Sequence, residues 1–234
     1  PTENIFFNRE NVRNFKEYLG NTDLICASNV ICHVPDLKNL VEAVDLLLSK
    51  NGTFVFEEPY LGSMFERVSY DQIYDEHIYM FSVTSVSKIF EKFNFVLVDV
   101  FPQITHGGSM RYVIKRKNFK DKSDNVKKTL ITERDKKLDK IESCLNFKEN
   151  CELSKLKIIK KIKAFKEEGK SICGYGATSK STTILNYCNI GKNLIDYICD
   201  TTAEKIGKFS PGMHIPIKNM EYFKKNQTDC VYLF

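Results

Sequence analysis

Two apolar runs that bracket an amphipathic helix constrain this chain more than any other feature. Asp23-Leu24-Ile25-Cys26-Ala27-Ser28 reads as a short buried strand ending at Asn29. Leu37–Leu48 carries apolar residues at 37, 40, 41, 44, 47 and 48, the spacing of one helical face, with Pro35-Asp36 as its start signal. Asn51-Gly52 is a turn, and Thr53–Phe56 is a second buried strand. Strand, helix, turn and strand in this order predict a parallel βαβ unit.

The flanking sequence extends the pattern. Residues 9–19 have helical spacing, with Val12, Phe15 and Leu19 on one side. Ser82–Phe93 predicts a helix with Ser82 as N-cap. Phe95–Val100 and Met110–Lys115 predict a close strand pair, compatible with an antiparallel sheet edge. Residues 120–168 read as charged helix, with Leu156, Ile159, Ile162 and Phe165 in a stripe and Gly169 as the stop. Ser171-Ile172-Cys173 then runs into Gly174-Tyr175-Gly176-Ala177, a helix through about Cys188, and a strand over Leu194–Cys199 ending at Asp200. A glycine turn between strand and helix opens a second Rossmann-like region. The expectation is an α/β protein divided as 1–117, a charged helical connection over 118–168, and 169–234.

Composition narrows the class. At 234 residues, 42% hydrophobic and 28% charged, the chain can bury real cores. No apolar run reaches transmembrane length and no basic-then-apolar leader pattern is present. Eight cysteines occur without a C-x-x-C pair. Cys26, Cys32, Cys173, Cys188, Cys199 and Cys230 sit mostly in apolar surroundings, so buried reduced thiols and a cytoplasmic location are expected, and no metal site built from the cysteines. Residues 115–170 hold 19 Lys/Arg against 10 Asp/Glu. That excess reads as a solvated helix face, because no aromatic interleaving or motif points to nucleic acid. The chain opens at Pro1 rather than Met and stops inside the apolar run Val231–Phe234, which suggests a piece of a longer protein.

Four constellations can carry chemistry. Asn29 lies at a strand's C-terminal end with His33 four residues on, where both either face a ligand or merely cap a turn. Tyr74-Asp75-Glu76-His77 packs a phenol, two acids and an imidazole together. Histidine suits proton abstraction near neutral pH, a carboxylate can fix its tautomer, and a phenol can donate to an oxyanion. The alternative for that tetrad is a helix start with local acid–base pairs. His106-Gly107-Gly108-Ser109 with Arg111 is either a hairpin turn or a backbone cradle with polar and cationic contacts. Gly174–Ala177 followed by Lys180 could present amides and charge to an anion, but it lacks the Walker spacing.

Taken together, Glu58-Pro59-Tyr60-Leu61, Asp71–His77 and His106–Tyr112 resemble the sugar C-methyltransferases. Gly174–Lys180, Asn186-Tyr187-Cys188, Asp200, Lys205 and Pro211–Ile217 look like that family's C-terminal domain. The likeness runs from about residue 20 onward and is weakest in the helical middle. It implies an incomplete Rossmann-like methyltransferase sheet, a helical linker and a second Rossmann-like domain. It also implies S-adenosylmethionine as methyl donor and a nucleotide-linked 4-keto-6-deoxyhexose as substrate, with thymidine diphosphate and carbon 3 as the family default. Zinc is expected only in an N-terminal module that, like the glycine-rich methyl-donor loop, has no counterpart in this sequence.

On that resemblance His77 is the first candidate for the base, with Glu76 orienting it, and His106 is a further candidate; Tyr74 would serve the enolate oxygen or position the sugar, and His33 would be a second contact or relay. Asn29 and His33 would face the methyl donor. Tyr60, His106, Gly107, Gly108, Ser109, Arg111, Gly174, Tyr175, Gly176, Ala177 and Lys180 would contact substrate. Two other readings stay open. A nicotinamide-dependent nucleotide-sugar oxidoreductase is suggested by G-x-G, though no third glycine follows. A non-catalytic nucleotide-sugar-binding fragment is the other. Oligomeric state is not legible, and neither nucleic acid nor membrane is an expected partner.

Overall fold

A computed structural model describes residues 2–118 and 122–234. Residues 119–121, where the charged stretch begins, lie outside the described residues. The chain divides into two compact units, one of residues 1–67 and 75–144, the other of 68–74 and 145–234. The charged stretch is therefore shared between the units.

In the first unit the expected βαβ is present: β1 (Thr22–Ser28), α2 (Leu37–Leu47) and β2 (Leu48–Pro59), with β1 and β2 parallel. The Asp36 side chain caps α2 by accepting from the Asn39 N–H. Leu40, Val41, Val44 and Leu47 lie buried along its inner side. After α3 (Leu61–Arg67) comes α4 (Val83–Glu91), begun by a reciprocal capping box between Ser82 and Ser85. β3 (Phe95–Gln103) and β4 (Ser109–Arg116) pair antiparallel, and β4 also runs antiparallel to β2, giving the order β1-β2-β4-β3. Phe54, Phe56, Phe90, Phe95 and Tyr112 form the centre of the core, with Phe56 stacked on Tyr112 at 4.8 Å between centroids.

Two expectations need correction here. β1 is an edge strand: Leu24 is 58% exposed and Cys26 is exposed too. An apolar run predicts cover on both faces, but among the described residues β1 pairs only with β2. The helix expected over 9–19 is α1 (Arg9–Val12) followed by turns. Its apolar side is nonetheless used, since Val12, Phe15 and Leu19 pack with Ala43 and Leu47.

The charged region forms α5 (Asp124–Asp135) and α6 (Ile141–Glu167). The Lys170 N–H bonds back to the Phe165 carbonyl and the Gly169 N–H to Lys166, so α6 closes at Gly169 as expected. The second unit then builds an all-parallel sheet of order β7-β6-β5-β8. Its strands are β5 (Ile172–Tyr175), β6 (Tyr197–Cys199), β7 (Ile217–Lys218) and β8 (Cys230–Leu233), with α7 (Ser179–Tyr187) after β5 and α8 (Met220–Lys225) before β8. Among the described residues no helix is long and apolar enough to cross a membrane.

Candidate functional site

The first unit gathers its polar groups at the C-terminal ends of β1 and β2. Along β2 the side chains of Phe54, Phe56 and Glu58 alternate onto the core face, so Glu58 carries a carboxylate into a position that the pleat makes interior. It is fully buried. Its Oε1 accepts from the Val30 N–H at 2.9 Å and the Ile31 N–H at 2.6 Å, while Oε2 is buried without a partner. Glu58 thus ties down the turn after β1, which carries Cys32 and His33. Burial, and then the Glu58 carboxylate beside it, push the Cys32 thiol well above the usual thiol range.

Glu57, one residue earlier, faces the other side and does different work. Its carboxylate accepts from Arg111, directly opposite across the β2–β4 ladder, at 2.9 and 3.2 Å, and from the Thr105 hydroxyl at 2.9 Å. Arg111 is thereby engaged within the protein.

The tetrad Tyr74–His77 is not a helix start; it is an irregular loop that folds back over the β1 turn. The Ile78 and Tyr79 N–H groups both donate to the Cys32 carbonyl, at 3.0 and 3.3 Å. His33 Nδ1 lies 2.7 Å from the Glu76 carbonyl. Because a carbonyl only accepts, Nδ1 carries the proton, and in the neutral ring the other nitrogen holds the lone pair. These bonds bring the His33 and His77 rings to 5.1 Å between centroids, tilted by 57°. Cys32, His33 and His77 each place one donor atom within 4.8 Å of the others. The Glu76 group seen at work is its backbone carbonyl, acting on His33. Tyr74 is half-buried and falls within the second unit.

The remaining expected residues of this unit hold the frame. Gly108 has φ +124°, and a Cβ there would meet the Ser63 Cβ at 2.5 Å, so only glycine fits. Its carbonyl accepts from the Tyr60 N–H. The Tyr60 hydroxyl donates to Glu133 at 2.9 Å, and burial followed by the Glu133 charge raises that phenol far above its ordinary range. Ser109 is buried and donates to the Thr105 carbonyl, whereas His106 and Gly107 are exposed on the turn.

A cavity of about 830 Å³ lies beside β1, walled by Phe6, Ile25 and Phe54 among others, with Asn29, His33 and Asp36 as polar lining. Asn29 carries a buried Oδ1 without a partner. The cavity brings together the two residues expected to face the methyl donor.

The second unit treats its strand-end loop differently. A Cβ on Gly174 would meet the Phe234 ring at 2.6 Å, so this glycine serves close packing. The Ala177 N–H, expected to await an anion, donates to Asp200 Oδ2 at 2.7 Å, and the Thr202 N–H donates to Oδ1 at 2.7 Å. Lys205 Nζ donates to the Ala177 carbonyl at 2.8 Å and sits 3.7 Å from Asp200. Burial opposes ionisation of Asp200, but these N–H groups and Lys205 prevail and hold its carboxyl below the usual range. Thr178 and Ser181 form a reciprocal capping box at the start of α7. Tyr175 is partly exposed, at the edge of this loop. A cavity of about 410 Å³ beside it is lined by Thr178, Lys205, Lys208 and Phe209, among others, but not by Lys180.

Sequence reasoning missed three groups. Cys32 adjoins His33 and could have been paired with it, since the C-x-x-C test looks only along the chain. Glu58 belongs to a quoted motif, but its burial follows from strand phase. Glu133 is 2% exposed, accepts from Tyr60, Val83 and Thr84, and sits in a charged helix that gives no signal of this.

The C-methyltransferase C-terminal domain family matches residues 104–234, and a methyltransferase domain family matches residues 2–100. C-methyltransferase NovU of Streptomyces niveus is 30% identical over 203 residues, which is 86% of this chain and 48% of that protein. This chain therefore spans about half the length of that relative. Among solved structures, a SAM-dependent methyltransferase from Anabaena variabilis aligns over 47% of this chain and 55% of its own at 16% identity, with a TM-score of 0.35. The PH0226 protein of Pyrococcus horikoshii aligns over 43% and 54% at 16% identity, with a TM-score of 0.33. Those two likenesses are too slight to carry an inference. The match over residues 104–234 covers more than half of the chain, and with it the chain belongs to the S-adenosylmethionine-dependent C-methyltransferase family.

Proposed function

We infer that this chain takes part in C-methylation of a nucleotide-linked 4-keto-6-deoxyhexose, with thymidine diphosphate as the nucleotide and carbon 3 as the acceptor. The observation that carries the reading is the His33–His77 pair, held at the strand ends by the Glu76 and Cys32 carbonyls. The choice of sugar comes from the resemblance of Asp71–His77 and His106–Tyr112 to the sugar C-methyltransferases.

Carbon cannot attack a methyl group until the C–H beside the ketone gives up its proton. In this reading His77 takes that proton on its neutral ring and the electron pair moves into an enolate. General-base catalysis of this kind contributes about 10²–10⁴-fold. Glu76 orients the base, and the Tyr74 phenol donates to the enolate oxygen. His33 carries its proton on the nitrogen bound to the Glu76 carbonyl, leaving its other nitrogen as a second contact or relay. S-adenosylmethionine, when bound, supplies an electrophilic methyl group. Asn29 and His33, which line the cavity beside β1, are the residues of this chain that would face it, and the Asn29 Oδ1 is an acceptor without a donor.

The second unit offers an anion-binding candidate of its own. There Lys208 at the smaller cavity is better placed than Arg111, which is engaged with Glu57, or Lys205, which is engaged with Asp200 and the Ala177 carbonyl.

The test is a reaction of the intact protein with the thymidine diphosphate 4-keto-6-deoxyhexose and S-adenosylmethionine. Mass spectrometry and NMR should find one new C-methyl group next to the ketone. A methyl group on oxygen, or no methylated sugar at all, contradicts the assignment.

A further inference from the structure

We propose that Cys32, His33 and His77 form a binding site for a divalent cation of the zinc class, with one sulfur and two nitrogen donors. One donor atom of each residue lies within 4.8 Å of the other two. Two adjacent ligands come from the turn after β1 and the third from the loop that covers it. Those segments are stitched by three hydrogen bonds, Ile78 and Tyr79 to the Cys32 carbonyl and His33 to the Glu76 carbonyl. The backbone segments that carry the three ligands are therefore held together, and binding would draw the donor atoms in to Zn–N and Zn–S bonds of about 2.0–2.3 Å.

Two further observations point to a cation. A ring N–H donated to a backbone carbonyl is the outer contact that metal-bound histidines commonly make, and His33 makes it. Next to the Cys32 thiol stands a fully buried carboxylate, Glu58, with one oxygen lacking any partner. A divalent cation bound there would have a carboxyl neighbour beyond its three ligands. One thiolate and one carboxylate then offset the two positive charges. On binding, the Cys32 S–H proton leaves to solvent as the S–metal bond forms. Each imidazole contributes a lone pair, the oxidation state of the metal is unchanged, and a fourth position is left for water. The donor set of thiolate and imidazoles suits zinc, or cobalt as its reporter, better than magnesium or calcium.

One consequence rests on the function proposed above. A cation that occupies the lone pair of His77 removes the base, so zinc would act as a reversible inhibitor of proton abstraction.

The experiment is a cobalt(II) titration of this chain in metal-free buffer, with the exposed Cys26 and Cys144 replaced by serine. The expected result is one equivalent bound with near-ultraviolet thiolate-to-cobalt absorption. Cys32→Ser should abolish that absorption, and His77→Gln should weaken cobalt binding about tenfold or more. Circular dichroism checks that each variant folds, and His77→Gln, on the covering loop, remains informative if the buried Cys32 variant does not. No thiolate absorption in the parent protein, its survival in folded Cys32→Ser, or unchanged affinity in His77→Gln would overturn the site. Zinc inhibition of substrate proton exchange in the intact protein is read separately. A cobalt site without inhibition would count against His77 as base and leave the metal site standing.

Discussion

Each unit ends a strand in a polar turn and places a buried carboxylate there, yet the two carboxylates are in opposite states. Asp200 spends both oxygens on its own loop, on the Ala177 and Thr202 N–H groups, with Lys205 alongside. Glu58 spends one oxygen on two N–H groups and leaves the other without a partner, beside the Cys32 thiol. A satisfied turn is a clasp that holds structure. A turn whose buried carboxyl group keeps an oxygen unpaired is the arrangement expected where a fold keeps chemistry. Strand-end position alone does not distinguish the two; the hydrogen bonds do.

That contrast can be broken in four places. The largest stability effect is expected at Gly108→Ala, where a left-handed backbone and a 2.5 Å approach to Ser63 coincide. A loss of about 3 kcal/mol or more by urea unfolding is expected, and a neutral result would mean that the β3–β4 turn does not frame the site.

Next is Asp200→Asn, which weakens two charge-assisted acceptors and an ion pair. It should cost about 1–2 kcal/mol at neutral pH. The Asp200 carboxyl is held below its ordinary 3.8, so its stabilisation is fully present above that value. As pH falls through the depressed folded value the advantage disappears. Wild type and Asp200→Asn should therefore converge in stability in strong acid, and a gap that persists there would remove Asp200 as the clasp.

Glu58→Gln should behave differently. The amide oxygen can still accept from the Val30 and Ile31 N–H groups, so stability should change by less than about 1 kcal/mol. Methyl transfer, by contrast, should fall if the carboxylate positions the His33 turn electrostatically. Equal losses in Glu58→Gln and Asp200→Asn unfolding would erase the distinction between the two turns.

The smallest effect concerns the nucleotide. Lys208→Ala should weaken nucleotide-sugar binding about fivefold, near 1 kcal/mol, and Lys180→Ala less, because Lys208 lines the cavity and Lys180 does not. Calorimetric titration of the intact protein reads both, and the reverse order would return the pyrophosphate to Lys180.

Much of the framework was legible because it rests on local rules. The α2 stripe, the Ser82 cap, the Gly169 stop and the parallel pairing of β1 with β2 all follow from periodicity and capping. The exposure of β1 was not legible, since an apolar run carries no record of how many neighbours it has. The histidine pair was legible as two separate motifs, but its closeness depends on Ile78 and Tyr79 bonding to Cys32, a contact across more than 40 residues. Arg111 and Ala177 were read as ligand groups from their chemistry. Their partners, Glu57 on the neighbouring strand and Asp200 just past the end of β6, are far away in sequence, and only the pairing of the strands reveals them.

The central claim is that the His33–His77 turn, and not the loop after β5, holds the proton-abstracting group. Deuterium wash-in at the sugar carbon beside the ketone, followed by NMR in the intact protein, tests it most directly. In His77→Ala the exchange rate should fall by about 10²-fold or more, while Asp200→Asn should exchange at the wild-type rate once saturated with substrate. Wild-type exchange in folded His77→Ala would contradict the account.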